Sequence, residues 1–194
     1  MNEDTNKIPF HKTNSFKIGT KIAEIILASL LITATASAAF ASDITPSNIQ
    51  GLINNERTYR GLKPLNTSPQ LVVAATDKAK DMVLRNYFEH FAFGLAPWDF
   101  IIKSGYNYLY AGENLAMDFD TSEGMVAAWM KSPAHRKNIL NPDFEDSGIG
   151  VVKGTYTDSS GTRETAMVSN MFGRKKPIVL QFLDRVIERF SNIF

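Results

Sequence analysis

Gly112-Glu113-Asn114-Leu115-Ala116 decides how this chain reads, together with His90 upstream and Ser132-Pro133-Ala134-His135-Arg136-Lys137-Asn138-Ile139-Leu140 downstream. Beyond the first 41 residues these are the only two histidines, and Glu113 falls between them. Two imidazoles and a carboxylate are the ingredients of a divalent-metal site or of an acid/base pair.

Upstream of this stretch the pattern is helical. Thr45-Pro46 predicts a helix start, with Thr45 as cap and proline preorganised for the first turn. Ile49, Leu52 and Ile53 form its apolar stripe, Gly61 stops it, and residues 62–65 form an extended connector. Ser68-Pro69 opens a second helix by the same device. Leu71, Val72, Ala75, Ala79, Met82 and Val83 give its buried side, Asp77, Lys78, Lys80 and Asp81 its expected solvated side, and Arg85-Asn86 its end. Residues 91–111 carry seven aromatic side chains and read as a packed loop with a short helix from Pro97-Trp98-Asp99 to Lys103.

Downstream, Asp120-Thr121-Ser122-Glu123 reads as a variant capping box with Asp120 at the cap, opening a helix that contains Val126, Trp129 and Met130. Ser132-Pro133 interrupts that helix and caps a new one over 133–139, which Asn141-Pro142 ends. A strand from Gly148 to Val152, a turn at 158–161 and a strand from Glu164 to Phe172 predict a hairpin. Helices followed by strands imply an α+β domain with helices packed on a small antiparallel sheet. After Pro177, Val179, Phe182, Leu183, Val186, Ile187 and Phe190 share one face of an amphipathic helix whose other face carries Asp184, Arg185, Glu188 and Arg189.

Composition bounds the function. Net charge is +1, and setting aside the leader's four lysines and three acids leaves seventeen basic and seventeen acidic residues, so electrostatics offer no case for nucleic acid. The chain has no cysteine, which excludes disulfide staples and thiol chemistry. Lys7, Lys12, Lys17 and Lys21 precede an uncharged run from Ile25 to Ala41 that ends in two A-x-A sites. This reads as an export signal over 1–41 cleaved before Ser42, with an uncleaved membrane anchor as the alternative. The remaining chain divides into a domain over 42–174 and the amphipathic helix over 175–194. That helix is expected either to dock on its own domain or to contact a membrane surface or protein through residues 178–194.

In order along the chain, Asn54-Asn55-Glu56-Arg57 with Gly61-Leu62-Lys63-Pro64-Leu65, then Asp81-Met82 to Phe88-Glu89-His90, Gly112-Glu113-Asn114, Trp129 to Arg136, Gly148-Ile149-Gly150-Val151 and Phe172-Gly173 resemble the CAP superfamily, the SCP-like extracellular domains, in its bacterial form. The resemblance covers about Ile49 to Gly173. It implies an α-β-α sandwich with a surface cleft, secreted or held in the cell envelope. It also implies that His90, Glu113 and His135 line that cleft, three of the four positions at which some members bind divalent metal. Ser132 stands where the family's second Glu would be.

Three readings of the site follow. As a metal centre, His90, Glu113 and His135 would supply three ligands to a divalent cation such as zinc and leave a fourth position for water. As a serine hydrolase, Ser132, His135 and Glu113 would be nucleophile, base and orienter, although Ser132 is better explained as a helix cap. As a polar brace, Glu113 and both histidines would pair with one another, with Asn114 fixing the loop, around a cleft that binds a small-molecule, lipid or envelope ligand. Arg57 and Asn54 are expected to serve packing. The brace reading makes the protein a non-catalytic exported binding module. The alternative is a metal-dependent hydrolase acting on a peptide or envelope polymer.

Overall fold

The computed structural model describes residues 43–191; the leader, and with it the expected cleavage site, lies outside them. Helix α1 (Pro46–Tyr59) and helix α2 (Pro69–Arg85) begin at the two Ser/Thr-Pro signals. Thr45 Oγ1 accepts from the Asn48 amide at 3.2 Å and Ser68 Oγ from the Leu71 amide at 3.4 Å, so each hydroxyl satisfies one amide the helix leaves unpaired. Between them lies strand β1 (Asn66–Thr67). Helix α3 (Pro97–Lys103), strand β2 (Tyr108–Ala116), helices α4 (Ser122–Lys131) and α5 (Pro133–Ile139), strands β3 (Asp146–Asp158) and β4 (Gly161–Lys175) and helix α6 (Ile178–Ser191) follow.

The sheet order is β1-β3-β4-β2. β4 pairs antiparallel with both β3 and β2, while β1 runs parallel to β3. The sheet is therefore mixed rather than wholly antiparallel, because the short connector after α1 enters alongside β3. The hairpin is longer than the alternating residues indicated. A second correction concerns β2: the segment expected to be loop around Glu113 and Asn114 is a strand, and Gly112–Leu115 are all buried on it. A third concerns α4, whose cap is Thr121, not Asp120: Thr121 Oγ1 accepts from the Gly124 amide.

Helices cover both faces, the sandwich the sequence implies. On one face α1, α4 and α5 bury Ile49, Ile53, Trp129 and Ile139 against Ile149, Val168 and Phe172. On the other, α2 and α3 bury Leu71, Ala75, Met82 and Ile101 against Leu115, Met167 and Met171. Side chains alternate along β4, with Met167, Ser169 and Met171 toward α2 and Val168, Asn170 and Phe172 toward α1.

Arg57 locks the first layer. Its guanidinium is buried and donates to the carbonyls of Lys63, Ile139, Asn141 and Phe144 at 2.8–3.3 Å. Asn54 clamps Leu65 through both its amide nitrogen and its oxygen. Both residues do the packing work expected of them.

Candidate functional site

Strand β2 is the sheet edge at which the predicted residues meet. Neighbours on a strand face opposite ways, and the register assigns the sides. Glu113 stands opposite Met171 and Leu115 opposite Ser169, toward α2; Asn114 stands opposite Asn170, toward α5. The two layers thus address the same strand from opposite faces.

On the α2 side, Glu113 Oε2 lies 2.6 Å from His90 Nδ1, and Oε1 accepts from Ser169 Oγ at 3.2 Å. The Glu113 side chain is 1% exposed and the His90 imidazole 45%. A carboxylate buried this far is costly unless paired and hydrogen-bonded, and His90 and Ser169 supply both conditions. Glu113 engages Nδ1, which leaves Nε2 as the ring nitrogen not used by Glu113.

The segment that carries His90 is held at three points. Asn86, in the left-handed conformation that ends α2, donates to the Thr157 carbonyl and accepts from the Thr157 amide, both at 2.8 Å. Lys78 comes next, and here the structure corrects the sequence reading: it does not lie on a solvated face but is fully buried. Its Nζ donates to the carbonyls of Glu89 at 2.8 Å and His90 at 3.0 Å, and to Tyr87 Oη at 3.2 Å. Tyr87 in turn donates to Asp81 at 2.7 Å. Burial lowers the Lys78 pKa, and the carboxylates of Glu113, Asp81 and Glu89 oppose that shift. Beyond His90, Ala92 and Leu95 bridge across a turn in which Phe93 and Gly94 have φ of 54° and 75°. Two positive values mark the tight hairpin turn that glycine tolerates and phenylalanine resists. The Phe93 ring is held edge-on against Tyr87 at 5.4 Å and beneath the Arg85 guanidinium at 5.1 Å.

On the α5 side, Asn114 Nδ2 donates to the His135 carbonyl at 3.1 Å, and Asn138 Nδ2 donates to Asn114 Oδ1 at 2.9 Å and to the Glu113 carbonyl at 3.0 Å. Trp129 Nε1 donates to the Leu115 carbonyl at 2.9 Å, tying α4 to the same strand. The His135 ring lies 6.4 Å from that of Trp129. Its pKa is lowered, first by burial and then by the charge of His90.

Of the predicted residues, His90 and Glu113 are in contact. Asn114 fixes the backbone of His135, not a loop of its own. Ser132 ends α4 and precedes α5, and its hydroxyl makes no capping hydrogen bond, contrary to expectation. Among the described residues no three His, Asp or Glu side chains are gathered so as to hold a metal ion. Glu113 turns both oxygens to His90 and Ser169, while the His135 backbone is held from the α5 side with its imidazole within electrostatic reach of His90. Two surface hollows among the described residues are lined by other residues. One of about 780 Å³ lies among Asp43, Asp118, Asp120, Lys153, Arg163 and Glu164; one of about 570 Å³ lies among Lys131, Arg136, Lys137 and Asp143.

Sequence reasoning missed Lys78, Tyr87, Asn138 and Ser169. For Lys78 a signal existed. Leu71, Ala74, Ala75, Lys78 and Met82 are spaced as one helical stripe, and its position outweighed its charge.

Comparison with known proteins agrees with this architecture. The profile of the CAP, cysteine-rich secretory protein, family matches residues 50–171. The uncharacterised protein YkwD of Bacillus subtilis is 41% identical over 121 residues, which are 61% of this chain and 47% of that one. The uncharacterised membrane protein YlbC of the same organism is 30% identical over 112 residues, 57% of this chain and 32% of that one. The chain thus spans half or less of the curated relatives it matches. Among solved structures, an extracellular protein containing an SCP domain from Bacillus anthracis is 28% identical with a TM-score of 0.59, covering 67% of this chain and 40% of its own. An outer surface protein from Borrelia burgdorferi shares the fold with a TM-score of 0.55 at 23% identity, covering 66% of this chain and 90% of its own. With a family profile matched over more than half of its residues and the sheet and helices to go with it, this cysteine-free chain belongs to the CAP family of cysteine-rich secretory proteins.

Proposed function

We propose that the chain is an exported CAP domain acting as a non-catalytic binding module of the cell envelope or extracellular space, with the His90 end of β2 as its contact surface. The observation that carries this reading is the engagement of Glu113. Its carboxylate is buried and bonded to His90 and Ser169, so it braces the imidazole instead of facing a substrate or a metal. A catalytic base needs a proton acceptor within reach of the reacting group. Here the His90 imidazole is 45% exposed, and Phe91 and Phe93 on the same segment are both 62% exposed. A partly open imidazole on a segment that also exposes aromatic side chains suits ligand contact: one polar anchor with apolar surface near it. Export is supported by relatives named as extracellular, membrane or outer surface proteins.

The test uses lipid-free cell-wall sacculi as probe. Wild-type protein is expected to co-sediment with them to the same extent with and without EDTA, and His90→Ala to sediment several-fold less. Release of soluble wall fragments that EDTA abolishes would overturn the reading in favour of a metal-dependent hydrolase. Equal sedimentation of wild type and His90→Ala would remove His90 from the contact surface.

A further inference from the structure

Helix α6 stands apart from the rest of the molecule in how it treats its apolar residues. It starts one residue after Pro177, and Lys176 is its tether. The Lys176 amide donates to the Asn107 carbonyl at 2.8 Å, its carbonyl accepts from Gln181 Nε2 at 2.6 Å, and its Nζ pairs with Asp184 at 2.6 Å. Among the described residues, none of the three apolar clusters that form the core includes a residue of α6. Ile178, Val179, Phe182 and Ile187 are 79%, 70%, 59% and 65% exposed.

An apolar face of this kind needs an apolar phase. A helix of fourteen residues is marginal in water without tertiary packing, so its order has to come from what its face is buried against. The described residues of α6 are too few to cross a bilayer. Fourteen residues rise about 21 Å against a hydrocarbon core of about 30 Å, and none of the described helices is long and apolar enough to span.

Charge selects the partner. Residues 174–194 carry a net charge of +3 in a chain whose total is +1, and the excess comes from Arg174, Lys175 and Lys176 just before the helix, because α6 itself is charge-balanced. Asp184 is paired with Lys176 and Glu145 with Arg174. Arg189 follows Phe182 by seven residues, two helical turns, which places it at the margin of the apolar face, where its long stem can reach along apolar surface to a headgroup. An anionic lipid surface offers charge opposite to the basic residues that lead into the helix, beside an apolar interior. We infer that α6 is an interfacial helix that seats the domain on an anionic lipid surface, with Ile178, Val179, Phe182 and Ile187 in the headgroup boundary and the basic residues at its margin.

Because the chain has no cysteine, Ile187→Cys gives a single site for an environment-sensitive fluorophore in the full-length protein. That probe reports on α6 itself, whatever the leader does. With vesicles of phosphatidylglycerol and phosphatidylcholine, its emission is expected to shift to the blue and gain roughly two- to fivefold in intensity. Pure phosphatidylcholine vesicles are expected to give little change, and added salt to reverse the effect. Phe182→Asp in the labelled protein is expected to abolish the response with the near-ultraviolet circular dichroism of the domain intact. An unchanged spectrum on anionic vesicles, an equal response on neutral ones, or a response that survives Phe182→Asp would overturn the inference. So would a shift that appears without lipid as protein concentration rises, which would assign the face to a second copy.

Discussion

The ammonium of Lys78 lies 3.0 Å from the carbonyl oxygen of His90, so a buried cation on α2 sets the backbone from which the Glu113-bonded imidazole projects. Lys78 itself is buried and reaches no ligand. Its influence on the site runs through two carbonyls and the Tyr87 hydroxyl.

Replacing it tests that role. Lys78→Met keeps most of the apolar stem but leaves the carbonyls of Glu89 and His90 without their donor, while also removing a buried charge. The net cost is expected to be about 1–3 kcal/mol in urea unfolding. Amide hydrogen exchange over residues 87–96 is expected to accelerate well beyond that of the β3–β4 hairpin. Uniform acceleration across the domain would mean that Lys78 supports the fold at large and does not position His90.

His135 gives the domain a pH dependence of definite sign. Its folded-state pKa is depressed below the ordinary 6.5, by burial first and by His90 second. The unfolded chain therefore binds more protons than the folded one at pH values around and below 6.5, and stability rises with pH through that window. Acidification below about pH 6.5 is expected to lower Tm, with the loss complete once pH falls under the folded pKa. His135→Gln, which cannot take up the proton, is expected to flatten that part of the curve. An unaltered slope in the variant would assign the dependence to another group.

The helices were legible because their starts are chemical. A hydroxyl followed by proline at Thr45-Pro46 and Ser68-Pro69 satisfies the first free amides in only one arrangement, and both caps form. The β3–β4 hairpin was legible for a similar reason: its turn and alternation are local. β2 was not, since it is covered on both faces in its second half and so shows no alternation of polar and apolar residues. β1 pairs over two residues and carries no period at all. The site was half visible. Its residues were found through family resemblance, but spacings of 23 and 22 residues cannot show that Glu113 and Asn114 face opposite layers. That division is set by the strand register. It puts the His90–Glu113 pair on one side of the strand and the Asn114–His135 backbone clamp on the other.

Arg57 is expected to be among the costliest single positions in the first layer. Arg57→Met preserves bulk but strands four carbonyl acceptors, those of Lys63, Ile139, Asn141 and Phe144. Loss of a charged donor to several buried acceptors is expected to cost about 3 kcal/mol or more. The marker is a fall in urea midpoint with an unchanged m-value. A shift under about 1 kcal/mol would show that water replaces the guanidinium at the α1–α5 junction.

Two glycines make the closing comparison, because the same substitution is expected to act in opposite directions. At Gly148 in β3 an added Cβ would fall on the backbone of Leu71 and Val72, so α2 rests directly on the strand and neither partner is a side chain that can swing away. Gly148→Ala must therefore push α2 off the sheet, at a cost of about 2–4 kcal/mol. Because α2 carries Lys78, the His90 segment is expected to loosen with it, visible as faster amide exchange at residues 87–96. At Gly51, within α1, an added Cβ meets nothing within 4 Å and the backbone is already helical. Gly51→Ala removes conformational freedom from the unfolded chain and is expected to stabilise by about 0.5–1 kcal/mol. Thermal unfolding of the two variants beside wild type reads both effects at once. Equal and small shifts would show that α2 does not ride on the bare backbone of β3, and with it would go the account of how the sheet carries Lys78 to His90.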